Sequence, residues 1–176
     1  MNLNLLRWNM MNIELVKWKT EDYQEFFTLS KDKEIWANMS DDFPHTLEEC
    51  KQIVSFFSTS EDVTECIRAI KVDNRKVGCI AAFFETGMYC KNAEISYWLN
   101  GEYRGMGIMP QVIKTFTQKL FTQFDKHRVC ARPFEFNKAS QRALEKSGFI
   151  YEGLLKENAF KNNQYINSMV YALIRK

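Results

Sequence analysis

The residues of this 176-residue chain best placed to do chemistry lie in Asn100-Gly101-Glu102-Tyr103-Arg104-Gly105-Met106-Gly107-Ile108-Met109-Pro110. Arg104, Gly105 and Gly107 fall where an apolar, strand-like run at 93–99 gives way to a strongly periodic helix. The first turn of a helix presents N–H groups with no partner inside the helix, and the helix dipole favours negative charge there. Phosphate is the usual occupant. Glycine lets the backbone turn tightly and approach a ligand closely, and an arginine adds a charge-assisted contact to a phosphate oxygen. The stretch reads as a pyrophosphate cradle, with a plain tight turn as the competing reading. A dinucleotide fingerprint fits less well: its third glycine would fall on Pro110, and Asp125, although suitably distant, follows a helix instead of closing a second strand. A Walker loop is excluded because no Gly-Lys-Ser/Thr follows.

Three further side chains have useful chemistry. Glu94 stands in an otherwise apolar strand, Ala93-Glu94-Ile95, where partial burial would suit it to accept a proton; a solvent-facing or salt-bridged glutamate is the alternative. Asn137 and Ser140 open a later helix, and both residue types are also ordinary helix caps. Five cysteines at irregular spacing, without a CxxC pair, and two distant histidines, His45 and His127, argue against a metal site and a disulfide framework. Reduced, mostly buried thiols are expected, as in a cytoplasmic protein.

Composition sets the outer bounds. Hydrophobic residues make up 45% of the chain, with 14 Phe, which is enough for a core and excludes a disordered chain. One domain is expected over 1–176, with 1–11 as an N-terminal extension in which Leu3, Leu5, Leu6 and Trp8 form a strand, an arm or an unstructured lead. A net charge of +2 without a basic cluster gives no nucleic-acid groove, and no apolar run is long enough for a membrane span.

The elements that must position these residues can be read in order. Alternation predicts strands at 13–18, 64–72, 76–84, 92–99, 128–134, 149–153 and 168–174. Helices are expected from Thr20 to Ser30, from a Thr46-Leu47-Glu48-Glu49 capping box, over 110–124 with Pro110 as the first helical residue, and over 138–146. The segments 35–44 and 156–166 read as irregular, and acceptor specificity is expected to reside in 31–46 and 156–166. The whole is mixed α/β around one sheet, with a parallel crossover through the 110–124 helix. Such a crossover places a ligand at the carboxyl end of the preceding strand, where the glycine turn lies.

Tyr103-Arg104-Gly105-Met106-Gly107-Ile108-Met109 and Asn137-Lys138-Ala139-Ser140, followed by Leu144-Glu145-Lys146-Ser147-Gly148-Phe149, give the chain a family likeness over residues 12 to about 174. It resembles the GNAT superfamily of acetyl-CoA-dependent N-acetyltransferases, in the RimJ/RimL-like branch. The resemblance implies a mostly antiparallel sheet of about six or seven strands with one splayed parallel pair, flanked by about four helices. The family's Gln/Arg-x-x-Gly-x-Gly/Ala pattern lands on Arg104, Gly107 and Met109, so Arg104, Gly105, Met106, Gly107, Ile108 and Met109 are implied to bind the pyrophosphate. Met109 and Pro110 depart from it, and Pro110 removes one donor.

By the same resemblance, backbone near Trp98 and Leu99 would hold the pantetheine arm and polarise the thioester carbonyl, Asn137 would bond the arm, and Ser140 would lie near the sulfur. Acetyl transfer to a primary amine must remove a proton from an ammonium of pKa near ~10 and supply one to a thiolate of pKa near ~8.5. Glu94 is the candidate base, directly or through water. The tyrosine that many members use as acid is replaced by Leu144, which leaves Ser140 as the substitute, with Tyr97, Tyr151 and Glu157 as further polar candidates. The acceptor would be a protein N-terminus or a small amine such as a polyamine or aminoglycoside, and a homodimer is compatible with the family. A non-catalytic acyl-CoA-binding module is the alternative, and a plain nucleotide-binding protein a third reading.

Overall fold

Among the described residues, seven strands form one sheet in the order β1-β2-β3-β4-β5-β7-β6. They are β1 (Ile13–Val16), β2 (Glu65–Val72), β3 (Arg75–Phe84), β4 (Asn92–Leu99), β5 (Arg128–Ala131), β6 (Ile150–Lys161) and β7 (Gln164–Ile174). The structure is a computed structural model and describes residues 11–176, so the arm or strand expected around Leu3, Leu5, Leu6 and Trp8 lies outside the described residues. Every pairing is antiparallel except that of β4 with β5.

The central strands are apolar on both sides because helices cover both sides. Alternate residues of β2 divide accordingly, Cys66, Ile70 and Val72 into one core and Ile67 and Ala69 into the other. The first core is closed by α4 (Ile108–Gln123), which contributes Ile108, Val112, Ile113, Phe116 and Leu120, and by Leu144 of α5 (Lys138–Lys146). The second is closed by α1 (Tyr23–Ser30), α2 (Lys33–Asn38) and α3 (Leu47–Thr59) through Phe26, Ile35, Cys50 and Val54. Trp98 of β4 is set in this second core with Phe26 at 5.4 Å and Phe43 at 6.0 Å between ring centroids. The Thr46 capping box forms as expected: Glu49 N–H donates to Thr46 Oγ1 at 3.2 Å, and Thr46 N–H donates to Glu49 Oε2 at 2.9 Å.

Four boundaries differ from the sequence reading. Segment 35–44, expected to be irregular, begins inside α2, which is capped by Asp32, whose carboxylate accepts Glu34 N–H at 2.9 Å. The α4 helix starts at Ile108, so Pro110 occupies its third position; that N–H would also have had no partner within the helix. The 156–166 segment is a hairpin instead of a loop: Asn162 and Asn163 take φ of 51° and 58°, the left-handed pair that a two-residue hairpin turn requires. The strand expected at 128–134 ends at Ala131, and Phe134 makes only an isolated bridge to Ser168.

The thiols follow burial. Cys50, Cys66 and Cys79 are buried, Cys130 is half-buried and Cys90 is exposed. Burial pushes the Cys66 and Cys130 thiols up to about 11. Iodoacetamide near neutral pH is therefore expected to modify Cys90 ahead of the other four, as read by peptide mass spectrometry, because alkylation requires an accessible thiolate. Early labelling of Cys66 or Cys79 would contradict the strand placement.

Candidate active site

A row of free backbone donors marks the turn between β4 and α4. Gly105 and Gly107 adopt φ of 75° and 70°, left-handed values that L side chains rarely take, and Gly107 is the N-cap of α4. Ile108 is anchored in the core and Met106 and Met109 pack against it, which leaves the main chain of the turn facing outward. Among the described residues, no backbone or side-chain acceptor engages the N–H groups of Gly105, Met106, Gly107, Ile108 or Met109. These groups stand at the positive end of a 16-residue helix, an arrangement suited to a diphosphate.

Beside this turn the sheet parts. The β4–β5 pairing is limited to Asn92↔Arg128, Ala93↔Val129 and Glu94↔Cys130, whereas β4 stays paired with β3 up to Leu99. Asn92 C=O accepts from Glu85 N–H and Asn100 N–H donates to Val77 C=O, which sets the even-numbered residues of β4 toward β3. The odd-numbered ones, Tyr97 and Leu99 among them, face the opening. Strand edges of this kind offer unpaired N–H and C=O groups to an extended ligand rich in amides.

Across the opening stands α5. The Tyr97 hydroxyl lies 2.8 Å from Ser140 Oγ, and burial raises the Tyr97 phenol above its ordinary value. Asn137 caps α5, its Oδ1 accepting Ser140 N–H at 3.1 Å, which leaves its Nδ2 and the second lone pair of Oδ1 to meet a ligand. Leu144 is fully buried and offers no proton. Ser140 and Asn137 thus border the same gap as Tyr97 and Leu99. The hydroxyl pair is invisible in the sequence, since the alternation of β4 places Tyr97 on a face without revealing what stands opposite.

Two residues sit differently from expectation. Glu94 is not in an apolar setting, because both its oxygens are engaged by Arg132, with Arg132 Nε donating to Oε1 at 2.8 Å and Nη2 pairing with Oε2. Its side chain is 29% exposed and, by alternation, shares the strand face of Trp98. Arg104, expected to reach a phosphate, is engaged elsewhere: Nε donates to Leu99 C=O at 3.1 Å, Nη2 to Asp32 at 2.8 Å, and Nη1 pairs with Glu34. The acidic partners lie far away in sequence, and only their helix-capping pattern is visible there.

The acceptor-side segments are joined as well. Lys161, at the end of β6, is buried and its Nζ donates to Trp36 C=O at 2.5 Å and to Met39 C=O, tying the hairpin to the end of α2. No helix among the described residues is long and apolar enough to cross a membrane.

Comparison with known proteins agrees with this geometry. The sequence profile of the Acetyltransferase (GNAT) domain matches residues 12–150. The chain is 32% identical over 84 residues to the ribosomal-protein-serine acetyltransferase of Escherichia coli (strain K12), a match spanning 48% of this chain and about half (47%) of that protein. It is 29% identical over 171 residues to the "SPbeta prophage-derived uncharacterized N-acetyltransferase YokL" of Bacillus subtilis (strain 168), covering 96% of this chain and 93% of the relative. In fold it is similar to RimL, a ribosomal L7/L12 alpha-N-protein acetyltransferase solved in complex with coenzyme A. That similarity has a TM-score of 0.83 at 22% identity and covers 92% of this chain and 93% of the other.

Proposed function

The chain belongs to the GNAT family of acetyltransferases, and on that premise we propose that it transfers the acetyl group of acetyl-CoA directly to a primary amine within a ternary complex. The amine is a protein N-terminus or a small molecule such as a polyamine or aminoglycoside. The single observation that carries this reading is the row of unengaged N–H groups from Gly105 to Met109, set beside a strand edge open at Tyr97 and at the N–H of Leu99. A diphosphate attached to an extended, amide-bearing arm fits both features.

When bound, acetyl-CoA supplies an activated acetyl group on a thiol leaving group. The chain's own residues do the rest. The turn amides hold the diphosphate, and Leu99 N–H faces the gap as a donor where negative charge develops on the carbonyl oxygen; Trp98, expected to share this task, turns its main chain to β3. Asn137 Nδ2 bonds the arm while its Oδ1 keeps the cap. Glu94 receives the ammonium proton, directly or through water, once an oxygen is released from Arg132. Ser140 delivers a proton to the departing sulfur and regains one from the nitrogen that becomes the amide; when the Tyr97 hydroxyl is the donor of their 2.8 Å pair, the Ser140 O–H is free to point to the sulfur. Positioning contributes alongside these groups, since a thioester needs only modest proton assistance.

Thermal shift of the purified chain tests the reading at low cost. CoA is expected to raise the melting temperature far more than NAD or ATP at equal concentration. Release of free thiol from acetyl-CoA across an amine panel then identifies the acceptor. Equal shifts with ATP and CoA would sink the coenzyme assignment. A strong CoA shift without thiol release on any amine would leave a binding module.

A further inference from the structure

Arg104 stands in an anion-binding turn, yet its donors face inward. One planar cation gathers three segments: the end of β4 through Leu99 C=O, α2 through Asp32 and Glu34, and its own turn. Asp32 is the hub. Its carboxylate caps α2, accepts Gly101 N–H at 2.9 Å and receives Arg104 Nη2 at 2.8 Å. Gly101 leaves room for it, because an added Cβ would stand 2.9 Å from Asp32 Oδ2. The Asp32 side chain is 18% exposed and that of Glu34 75%, so Asp32 supplies the stronger partnership.

The segments so joined belong to opposite sides of the sheet. The cradle leads into α4, on the same side as Ser140 of α5, whereas α2 packs through Ile35 into the core on the other side, with Trp98. The side of β4 away from the cradle, where α2 packs and Lys161 also fixes the hairpin tip, is the one we assign to the amine. We propose that Arg104 is a positioning residue that fastens the acceptor-side helix α2 to the coenzyme-binding turn and orients the Leu99 carbonyl, and that it is not a phosphate ligand. Registration of the two substrates depends on this clamp. The inference rests on the acetyltransferase reading given above.

The test uses the intact chain carrying Arg104→Gln, Asp32→Asn, or both. Asparagine can keep its single oxygen on Glu34 N–H, so Asp32→Asn preserves the helix start, while its Nδ2 replaces the oxygen that receives Gly101 N–H and Arg104 Nη2 and breaks both of those contacts. Each variant is compared with the wild type in its KM for the best amine of the panel and in its affinity for CoA and for pantetheine, which lacks the diphosphate. Either single substitution is expected to raise the amine KM about tenfold, the size of effect that losing one charge-assisted hydrogen bond produces. The double variant should be no worse than either single one, because both break the same ion pair. Affinities for CoA and pantetheine should change by the same factor. Gly101→Ala, which crowds the Asp32 carboxylate, should shift the amine KM in the same direction by a smaller factor.

The proposal is overturned if Arg104→Gln weakens CoA much more than pantetheine while Asp32→Asn leaves CoA affinity intact, since that pattern belongs to a phosphate ligand. It is also overturned if the variants melt earlier without raising the amine KM. A wild type that neither responds to CoA nor releases thiol defeats the acetyltransferase reading and this proposal with it; a working wild type with the contrary pattern defeats the clamp alone.

Discussion

Gly107→Val is expected to cut affinity for CoA by about a hundredfold or more, read as loss of the CoA-induced thermal shift and by titration calorimetry. The backbone at this N-cap has φ of 70°, where an L side chain costs about 1–2 kcal/mol. A branched side chain would also stand at the mouth of the cradle, and each charge-assisted hydrogen bond from a turn N–H to a phosphate oxygen is worth roughly 1.5–3 kcal/mol. Gly105→Ala should behave more mildly, because nothing lies within 4 Å of the added Cβ and only the backbone at φ 75° resists it. Gly87 provides the control. It also has positive φ with nothing within 4 Å of an added Cβ, but it lies between β3 and β4, at the end of β4 opposite the cradle, so Gly87→Ala should lower the melting temperature and leave CoA affinity unchanged. Retained CoA affinity in Gly107→Val would remove the basis for the cradle.

Glu94→Gln is expected to lower kcat by about 10²–10⁴ with CoA affinity intact, the range removed with a general base. Arg132→Gln provides the companion measurement, since it frees both carboxylate oxygens from their present partner. If Glu94→Gln keeps kcat within about twofold of wild type, the residue is an ion-pair partner of Arg132, and proton removal passes through another group or through solvent.

The site is legible in the sequence where it is local. Gly105 and Gly107 lie in one turn between a strand and a helix, and Asn137 and Ser140 open a single helix, so spacing alone locates them. Whatever depends on a distant partner cannot be read in that way. Arg104 is placed at the turn by its neighbours, but nothing near it in sequence discloses that Asp32 and Glu34 hold its guanidinium. Glu94 suits an apolar strand until Arg132, beyond the end of β5, closes on it.

The misread elements have similar causes. Helix α2 is six residues long and buries only Ile35, too little for a periodic signal. The hairpin carries Lys156, Glu157 and Asn158 along strands exposed for much of their length, and a bulge between Leu155 and Ala159 breaks the alternation by which a strand is identified.

The three-pair junction between β4 and β5 makes the sheet resemble two leaves bound along a short spine. Ile95 on one leaf and Val129 on the other share a single core, which resists wide opening. Farther out, two stitches cross from leaf to leaf, Glu94 to Arg132 and Tyr97 to Ser140. Three of those four residues have been given tasks in moving protons, so removing any of them also alters how far the leaves part. Measured rates for such variants therefore combine altered proton transfer with an altered width of the slot that the donor must fill.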